Sequence, residues 1–514
     1  MKHIEINEQF ERALQIMNET PKHLFVTGKA GTGKSTLLEY FREHTGKKIV
    51  VLAPTGVAAL NVRGQTVHSF FRFRAGITLE AVKTIVKSGR PNIYRKLDAI
   101  VIDEVSMVRA DLMDCIDKFM RLNTGDQRPF GGKQMIFIGD LYQLPPVMTG
   151  KERKIFSDRY QTGYFFSADV MQTIDMEMVE LEKIYRQKDD HFIHILNAIR
   201  NNTVTDSMLD QLNRRFIPDY DPPADALYIY LTSRNDQARR INEDRLTRIR
   251  KRAATFEALV VGAFSESHFP TDPVLTVKQG AQVMMVNNDA DGRWVNGSVG
   301  KIVRIGEVEE IIEVELPDGL AVPVTPHSWE LFSYRYNPET RRIESERLGI
   351  FEQYPLRLAW AVTIHKGQGK TFRRVIVDIG RGTFAPGQMY VALSRCTTLD
   401  GIVLKQKIQK KHIFTDWQIV KFITGHQYRK SEQNLPLEEK VELIRQAIQN
   451  KQRLEMTYLK AKDEKSKRVV EPRFVGQLEY AATPYLGMEA FCLKRRDLRN
   501  FRVERILELS LLDP

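Results

Sequence analysis

The stretch HLFVTGKAGTGKSTLLEYF, residues 23–41, constrains this chain more than any other. Leu24 to Val26 form an apolar run that enters a loop of the form GxxxxGK[ST], Gly28 to Ser35, and STLLEYF continues with helical character. Strand, glycine-rich loop and helix in that order open an α/β unit with a phosphate-binding turn. Across Gly28, Gly31, Thr32, Gly33, Lys34, Ser35 and Thr36 the backbone N–H groups can turn inward around phosphates. Lys34 can bridge the terminal phosphates, and Ser35 offers its hydroxyl to Mg²⁺. The bland alternative is a chance glycine-rich turn, and the flanking strand and helix argue against it.

Nucleotide hydrolysis also needs carboxylates, and LDAIVIDEVSM supplies two. The uninterrupted apolar run Ala99 to Ile102 predicts a fully buried parallel strand that ends in Asp103 and Glu104. Asp103 can hold Mg²⁺ through water, and Glu104 can orient and deprotonate the attacking water. An N-cap for the next helix is the competing reading. In QMIFIGDLYQLPPV a third apolar run gives way to Gly139, Asp140 and Gln143 and then stops at Pro145 and Pro146. Such a cluster alone is an ordinary turn. If the run is a neighbouring parallel strand, its end lies at the nucleotide edge, and Gln143, which both donates and accepts, is a sensor of the γ-phosphate.

The chain has 514 residues, of which 42% are hydrophobic and 28% charged, so several soluble cores and three or four domains are expected. No apolar run reaches membrane-spanning length and the first residues lack signal-peptide character, which places the expectation in a bacterial cytosol, at the nucleoid. Cys115, Cys396 and Cys492 are far apart and lack CxxC spacing, so neither a disulfide framework nor a zinc site is expected; His191 and His194 read as helix-surface residues. The net charge of +12 favours polyanionic partners. Residues 431–514 carry 16 basic and 14 acidic side chains, so most of the excess lies before them.

Taken together, GKAGTGKST, APTGVAALNVRGQTVHSFF, VIDEVSM, PFGGKQMIFIGDLYQLPPV, LEKIYRQ, AVTIHKGQGKTF and YVALSRCTTLDGI resemble the blocks of superfamily-one helicases of the Pif-one (petite integration frequency) group, in the family's order over about residues 1–425. One departure is Gly367, where the family more often has serine. The resemblance implies an ATP- and Mg²⁺-dependent DNA helicase that moves 5′ to 3′ on single-stranded DNA and opens forked or structured duplexes, monomeric on DNA, serving replication, repair or recombination. Gln9 matches the amide that reads adenine, and Arg186 and Arg395 match the two arginines that reach the γ-phosphate across the cleft between motor domains. Gln368 and Gly369 match nucleotide-side positions.

For the strand, Pro54, Thr55, Gly56, Thr66 and His68 supply small hydroxyl and backbone groups suited to sugar-phosphate contact, and Phe70 suits base stacking, with core packing as its alternative. Thr363, His365 and Lys366 resemble the matching block of the second motor domain.

The fold class expected is α/β: two RecA-like parallel-sheet motor domains, a small β-barrel insertion and a C-terminal β-rich module. The first motor domain is read at 1–185, with a small DNA-contacting insertion near 64–90, and the second at 186–294 and 351–425. Between them, 295–350 alternates β-branched residues with turns at Asn296-Gly297 and Asp318-Gly319 and resembles a Src-homology-three-type subdomain. A polar linker is read at 426–437. Residues 438–514 resemble a WYL domain, with Pro484 where its tryptophan usually sits. Arg495, Arg496, Arg499, Arg502 and Arg505 there could bind single strands or a small anion, or simply be a solvated edge. Two other readings stay open: a RecD-like subunit of a nuclease complex, for which no nuclease motif is present, and a WYL regulator with a vestigial motor.

Overall fold

The structure, a computed structural model, describes residues 5–74, 76–83, 92–146, 148, 159–187, 189–223, 225–264, 266–306, 310–337, 339–340, 342–380, 382–383, 385–481 and 483–512. Part of the insertion read near 64–90 therefore lies outside the described residues. The chain divides into two compact units, residues 1–200 with 204–414, and residues 201–203 with 415–514.

The first unit contains two parallel sheets. One has six strands in the order Gln65–Thr66, Ile49–Ala53, Ala99–Ile102, Gln134–Ile138, His23–Gly28, Met176–Leu181. All its pairings are parallel, with Leu24 opposite Ile136 and Val101 also opposite Ile136 from the other side. Strands Ala99–Ile102 and Gln134–Ile138 are buried along their whole length, as strands covered on both faces must be. Phe10, Ala13 and Met17 of helix Glu8–Glu19 and Leu37, Leu38 and Phe41 of helix Lys34–His44 cover one face. Because the strands run the same way, Gly28, Asp103, Gly139 and Leu181 all end at one edge of the sheet, and the loops that follow them share it.

The second parallel sheet has the order Ala361–Thr363, Ile229–Thr232, Val375–Asp378, Ile402–Leu404. Between its first two strands in the chain runs a long excursion, residues 233–360. It contains helix Asn235–Arg248 and antiparallel strands that begin at Ala253–Glu257 and end at Leu356–Leu358. Residues 295–350 form part of this set: Val299–Ile305 pairs with Gln282–Met285, and the long strand Arg342–Gln353 pairs with His327–Asn337 and Leu259–Gly262. Turn residues mark hairpin tips and say nothing of earlier strands that join the same sheets, which is why the sequence pattern shows only the middle of the excursion.

In the second unit a five-stranded antiparallel sheet, in the order Asp497–Arg502, Thr483–Cys492, Glu464–Tyr480, Leu454–Lys460, Ile506–Leu511, packs with helix Leu437–Gln449 through Ile444, Ala447, Met456, Met488 and Phe501. Residues 426–434, read as linker, are the C-terminal half of helix Trp417–Asn434, which is capped at its start by the Asp416 carboxylate accepting from the Gln418 N–H. Polar composition there reflects a helix with only Ile419, Ile423 and Ser431 buried. No helix among the described residues is long and apolar enough to cross a membrane.

Candidate nucleotide site and strand-facing surface

The glycine-rich loop follows strand His23–Gly28 and ends where helix Lys34–His44 begins. Gly31 and Gly33 hold φ of +84° and +89°, the left-handed region open to glycine, and a Cβ at Gly31 would come within 2.5 Å of the Arg186 Cβ. Thr32 is buried and donates its hydroxyl to the Lys29 carbonyl at 3.0 Å, closing the turn from within. Lys34 Nζ donates to the carbonyls of Gly28, at 2.7 Å, and Lys29, at 3.1 Å. Burial lowers its pKa, and the carboxylates of Asp140, Glu104 and Asp103 oppose that shift. Ser35 and Thr36 stand exposed at the start of the helix.

Asp103 and Glu104 follow strand Ala99–Ile102. Burial, then the Glu104 charge, pushes the Asp103 carboxyl far above the carboxylate range, to about 7. Burial also raises Glu104, against the pull of Lys34 and Arg395. Each acid's desolvation is only partly offset by the cations of the cleft, and a divalent ion beside Asp103 would favour its charged form. The donor set fits Mg²⁺: the exposed hydroxyl of Ser35 and the buried carboxylate of Asp103 suit an ion that keeps most of its waters and takes only one or two protein oxygens. Among the described residues no cluster of three or more His, Cys, Asp or Glu forms a protein-only metal cage.

Glu104 sits at φ +50° and ψ +41°, an uncommon conformation for a residue with a Cβ. It is held from the other parallel sheet: Gln368 Nε2 donates to Glu104 Oε2 at 3.1 Å. The neighbouring Gly369 carbonyl accepts from Arg186 Nη2 at 3.3 Å. Arg395 is 1% exposed and donates through Nε to the Val391 carbonyl at 2.9 Å, through Nη1 to the Lys370 carbonyl at 3.3 Å and through Nη2 to the Ser394 hydroxyl at 3.0 Å. Burial and the nearby Arg186 charge lower the pKa of Arg395, while Glu104 and Asp140 raise it. The structure thus brings Lys34, Asp103, Glu104, Arg186, Gln368 and Arg395 to one cleft between the two sheets.

Gln143 lies in the same place, 7% exposed, with Nε2 donating to Asp140 Oδ2 at 3.1 Å. Asp140 is itself paired with Arg200, at 3.5 Å, and the Arg200 guanidinium lies over the Tyr142 ring at 3.9 Å. Gly387, from the other motor domain, packs so closely on this loop that a Cβ would fall 2.3 Å from the carbonyl oxygens of both Tyr142 and Gln143.

Sequence reasoning passed over several of these contacts. Tyr390 Oη accepts from the Ala30 N–H of the glycine-rich loop at 2.9 Å. Gln187 Nε2 donates to the carbonyls of Ser394, at 3.0 Å, and Cys396, at 3.1 Å, tying LEKIYRQ to YVALSRC. Tyr185 donates its N–H to the Gly31 carbonyl at 2.8 Å, and its ring is 44% exposed beside Gly33. Asn7 Nδ2 reaches Tyr185 Oη at 3.4 Å, so the start of the helix that carries Gln9 sits next to this ring. A signal was present in the last case: Tyr185 stands directly before Arg186 in LEKIYRQ, one of the blocks that carry the resemblance.

Among the residues expected to meet the strand, Thr55 and Thr66 are N-caps: their hydroxyls accept from the N–H groups of Ala58 and Ser69 at 3.2 and 3.1 Å. Pro54 and Gly56 are half-buried around Thr55, and His68 is half-buried, with burial and Arg109 lowering its pKa. Phe70 is in the core. It is 5% exposed and meets Phe71, Tyr94 and Tyr334 edge-on with centroids 4.9, 5.4 and 6.1 Å away. A ring closed in by three others has no face left for a base, so packing outweighs the stacking expectation. In the second motor domain Thr363 is buried and its hydroxyl accepts from the Lys366 N–H at 3.3 Å, His365 is half-buried, and Lys366 is exposed. In the second unit Arg495, Arg496 and Arg499 are exposed, whereas Arg502 pairs with Glu504 at 3.2 Å and lies over the Tyr485 ring at 4.5 Å.

A family model described as PIF1-like helicase matches residues 5–209, and a WYL domain model matches residues 439–511. The ATP-dependent DNA helicase Pif1 of Bdellovibrio bacteriovorus is 31% identical over 414 residues, covering 78% of this chain and 88% of its own length. The chain belongs to the PIF1-like helicase family. The Emericella nidulans ATP-dependent DNA helicase PIF1 is 32% identical over 76% of this chain, which spans 59% of that relative. Among solved structures, Bacteroides sp. Pif1 in complex with ADP-AlF4 superimposes with a TM-score of 0.75 at 35% identity, over 83% of this chain and 98% of that one. Bacteroides Pif1 bound to single-stranded DNA gives a TM-score of 0.60 at 36% identity, over 82% and 97%. These PIF1-like relatives share the two parallel-sheet motor domains, and the WYL module follows them here.

Proposed function

We propose that this chain is an ATP-dependent DNA helicase that steps along single-stranded DNA, 5′ to 3′ as the family does, and opens forked or structured duplexes. The observation that carries the reading is the cross-cleft contact between Gln368 and Glu104, joined by Arg186 to Gly369: a chance turn of glycines would not need groups from a second sheet around one acid.

In this reading Lys34 and the loop amides take the β- and γ-phosphates, the ring of Tyr185 and the amide of Gln9 face the adenine, and Ser35 and Asp103 hold Mg²⁺, which neutralises charge on the phosphates when bound. Glu104 takes a proton from water as its oxygen attacks the γ-phosphorus and the bond to the β–γ bridging oxygen breaks. Arg186 and Arg395 offset the charge spread over the transferring oxygens, a task that suits the guanidinium fork. Gln143, oriented by Asp140, changes partners as the γ-phosphate leaves. Because Gly387 rests on the Gln143 loop, that change reaches the second motor domain and alters how each domain grips the strand.

Pro54, Thr55, Gly56, Thr66, His68, Thr363, His365 and Lys366 form the strand path of the two domains, with Phe70 as its packed floor. The domain divisions at residues 1–185, 186–294 with 351–425, 295–350 and 438–514, the monomeric state on DNA, the bacterial cytosol and the strand-binding role of the C-terminal arginines belong to the same proposal. ATP hydrolysis measured with and without single-stranded DNA tests it: strong stimulation is expected, and hydrolysis indifferent to DNA would favour a WYL regulator whose motor no longer works on nucleic acid.

A further inference from the structure

Lys370 closes the segment that carries Gln368 and Gly369. Its carbonyl accepts from Arg395 Nη1 at 3.3 Å, while its Nζ donates to Asn296 Oδ1 at 2.6 Å. Asn296 Nδ2 in turn donates to Asn61 Oδ1 at 3.0 Å. Asn61 is the last residue of helix Gly56–Asn61 in the first motor domain. Three polar side chains thus bridge the two motor domains, from the block of Pro54, Thr55 and Gly56 to the block of Thr363, His365 and Lys366. Gly297, at φ +98°, lies against the lysine stem, where a Cβ would sit 3.1 Å from the Lys370 Cβ.

The ammonium is poorly provided for. Among the described residues no carboxylate lies within ion-pair distance of Lys370. The charged group that acts on it is a cation, Arg357 on strand Leu356–Leu358, which also acts on Lys366 of the same segment, where Asp272 opposes it. Burial and Arg357 together lower its pKa to about 7. A half-buried ammonium with one neutral acceptor and a guanidinium nearby is stabilised by an anion that also accepts hydrogen bonds. A phosphodiester oxygen has both properties, and a strand lying across the two motor domains presents one at the seam between them.

We propose that Lys370 and Asn296 form a binding site for one backbone phosphate of the nucleic-acid strand at the seam between the motor domains. This rests on the helicase reading. When the phosphate arrives, the ammonium exchanges its amide partner for a charged one, and the Asn61–Asn296 bridge is free to re-form around the strand. Because the anion raises the lysine pKa, a strand that binds above neutral pH draws a proton from solution.

The test uses the full chain and labelled single-stranded DNA titrated at several salt concentrations. For Lys370→Met the slope of log affinity against log salt should fall in magnitude by about 0.7, the value of one single-strand phosphate. Calorimetry at pH 8 in buffers of different ionisation heat should show proton uptake for the unaltered protein and a smaller uptake for this variant. Lys370→Arg, which keeps the charge, should retain the slope and guards against a folding defect in the methionine variant. A wild-type slope and proton uptake in Lys370→Met overturn the site while leaving the helicase reading standing. If the unaltered protein neither binds strands nor hydrolyses ATP faster with them, the helicase reading falls and this site falls with it.

Discussion

The Tyr390 hydroxyl accepts a hydrogen bond from the Ala30 amide at 2.9 Å, joining a helix of the second motor domain to the phosphate loop of the first. Both residues are buried. Tyr390→Phe removes the acceptor and leaves a buried N–H unsatisfied, which costs about 1–3 kcal/mol. Nucleotide affinity and kcat/KM for ATP should fall roughly five- to a hundredfold, as read by fluorescent-nucleotide titration and steady-state kinetics. Unchanged kinetics would mean the hydrogen bond is incidental to the cleft.

Glu104→Gln keeps the shape of the side chain and a partner for Gln368 but loses the base. Hydrolysis should drop by about 10²–10⁴-fold, the range for loss of a general base, with ATP and strand binding retained. The variant should therefore hold ATP on DNA, visible as a long-lived ternary complex in gel-shift or filter assays. Loss of nucleotide affinity with chemistry intact would instead make Glu104 a metal ligand.

Asp103 has its carboxyl raised to about 7 by burial and by the Glu104 charge. Protonated Asp103 cannot serve Mg²⁺, so protons and metal compete. Lowering the pH through 7 should raise the Mg²⁺ concentration needed for half-maximal hydrolysis, and metal binding should release protons in that window. Asp103→Asn should weaken Mg²⁺ activation at every pH and flatten this dependence. The same raised pKa means the folded state binds more protons here than the unfolded chain, so this group's contribution to stability declines as pH rises from about 4 to 7.

The strands and loops of the nucleotide edge were legible because each chemical residue stands at or in the loop that follows an apolar run: Asp103 and Glu104 at the end of Ala99–Ile102, Lys34 in the glycine-rich loop after Leu24–Val26, Gln143 in the turn after Met135–Ile138. Parallel strands put all such ends on one side, so period and position carried the inference. Tyr390, Gln187, Gly387 and Arg200 escaped it because their roles depend on the approach of two sheets far apart in the chain, which no local pattern encodes. Arg186 and Arg395 came from family resemblance, since a lone arginine in a sequence is more often a surface ion pair. Phe70 shows the converse: its sequence neighbourhood leaves base stacking and core packing both open, and Tyr94 and Tyr334, further along the chain, favour packing by closing around it.

Phe70→Ala follows from that packing. Removing a ring from a filled aromatic cluster costs about 3–5 kcal/mol. Denaturant unfolding should show an early loss of the first motor domain, whereas Phe70→Leu should recover most of the stability. Strand affinity should track the folded fraction. A stable Phe70→Ala variant with selectively weakened DNA binding would restore the stacking role.

The C-terminal arginines carry a separate test. Neutralising Arg495, Arg496 and Arg499 together should reduce single-strand affinity at low salt and lessen its salt dependence by up to about 0.7 for each phosphate no longer neutralised, with ATP chemistry unaffected. Adding Arg502 to the set should do little more, because Glu504 already pairs with it. Unchanged affinity and slope would assign this edge to a small anion, a protein or solvent.

The excursion at residues 233–360 leaves the second parallel sheet after Ile229–Thr232 and returns as Ala361–Thr363, its direct neighbour, with Leu231 opposite Val362. The two strands are parallel, so its attachment points lie at opposite ends of one short ladder, Thr232 at the end it leaves and Ala361 at the end it re-enters. Closing a loop costs entropy that grows only with the logarithm of its length, so once the chain crosses back over the sheet, as a parallel pair requires, the ladder tolerates a long folded passenger in that crossover. The chain has in effect a socket: whatever antiparallel module occupies it can be exchanged, lengthened or trimmed while Thr232 and Thr363 stay in register and the ATP edge beyond them keeps its shape.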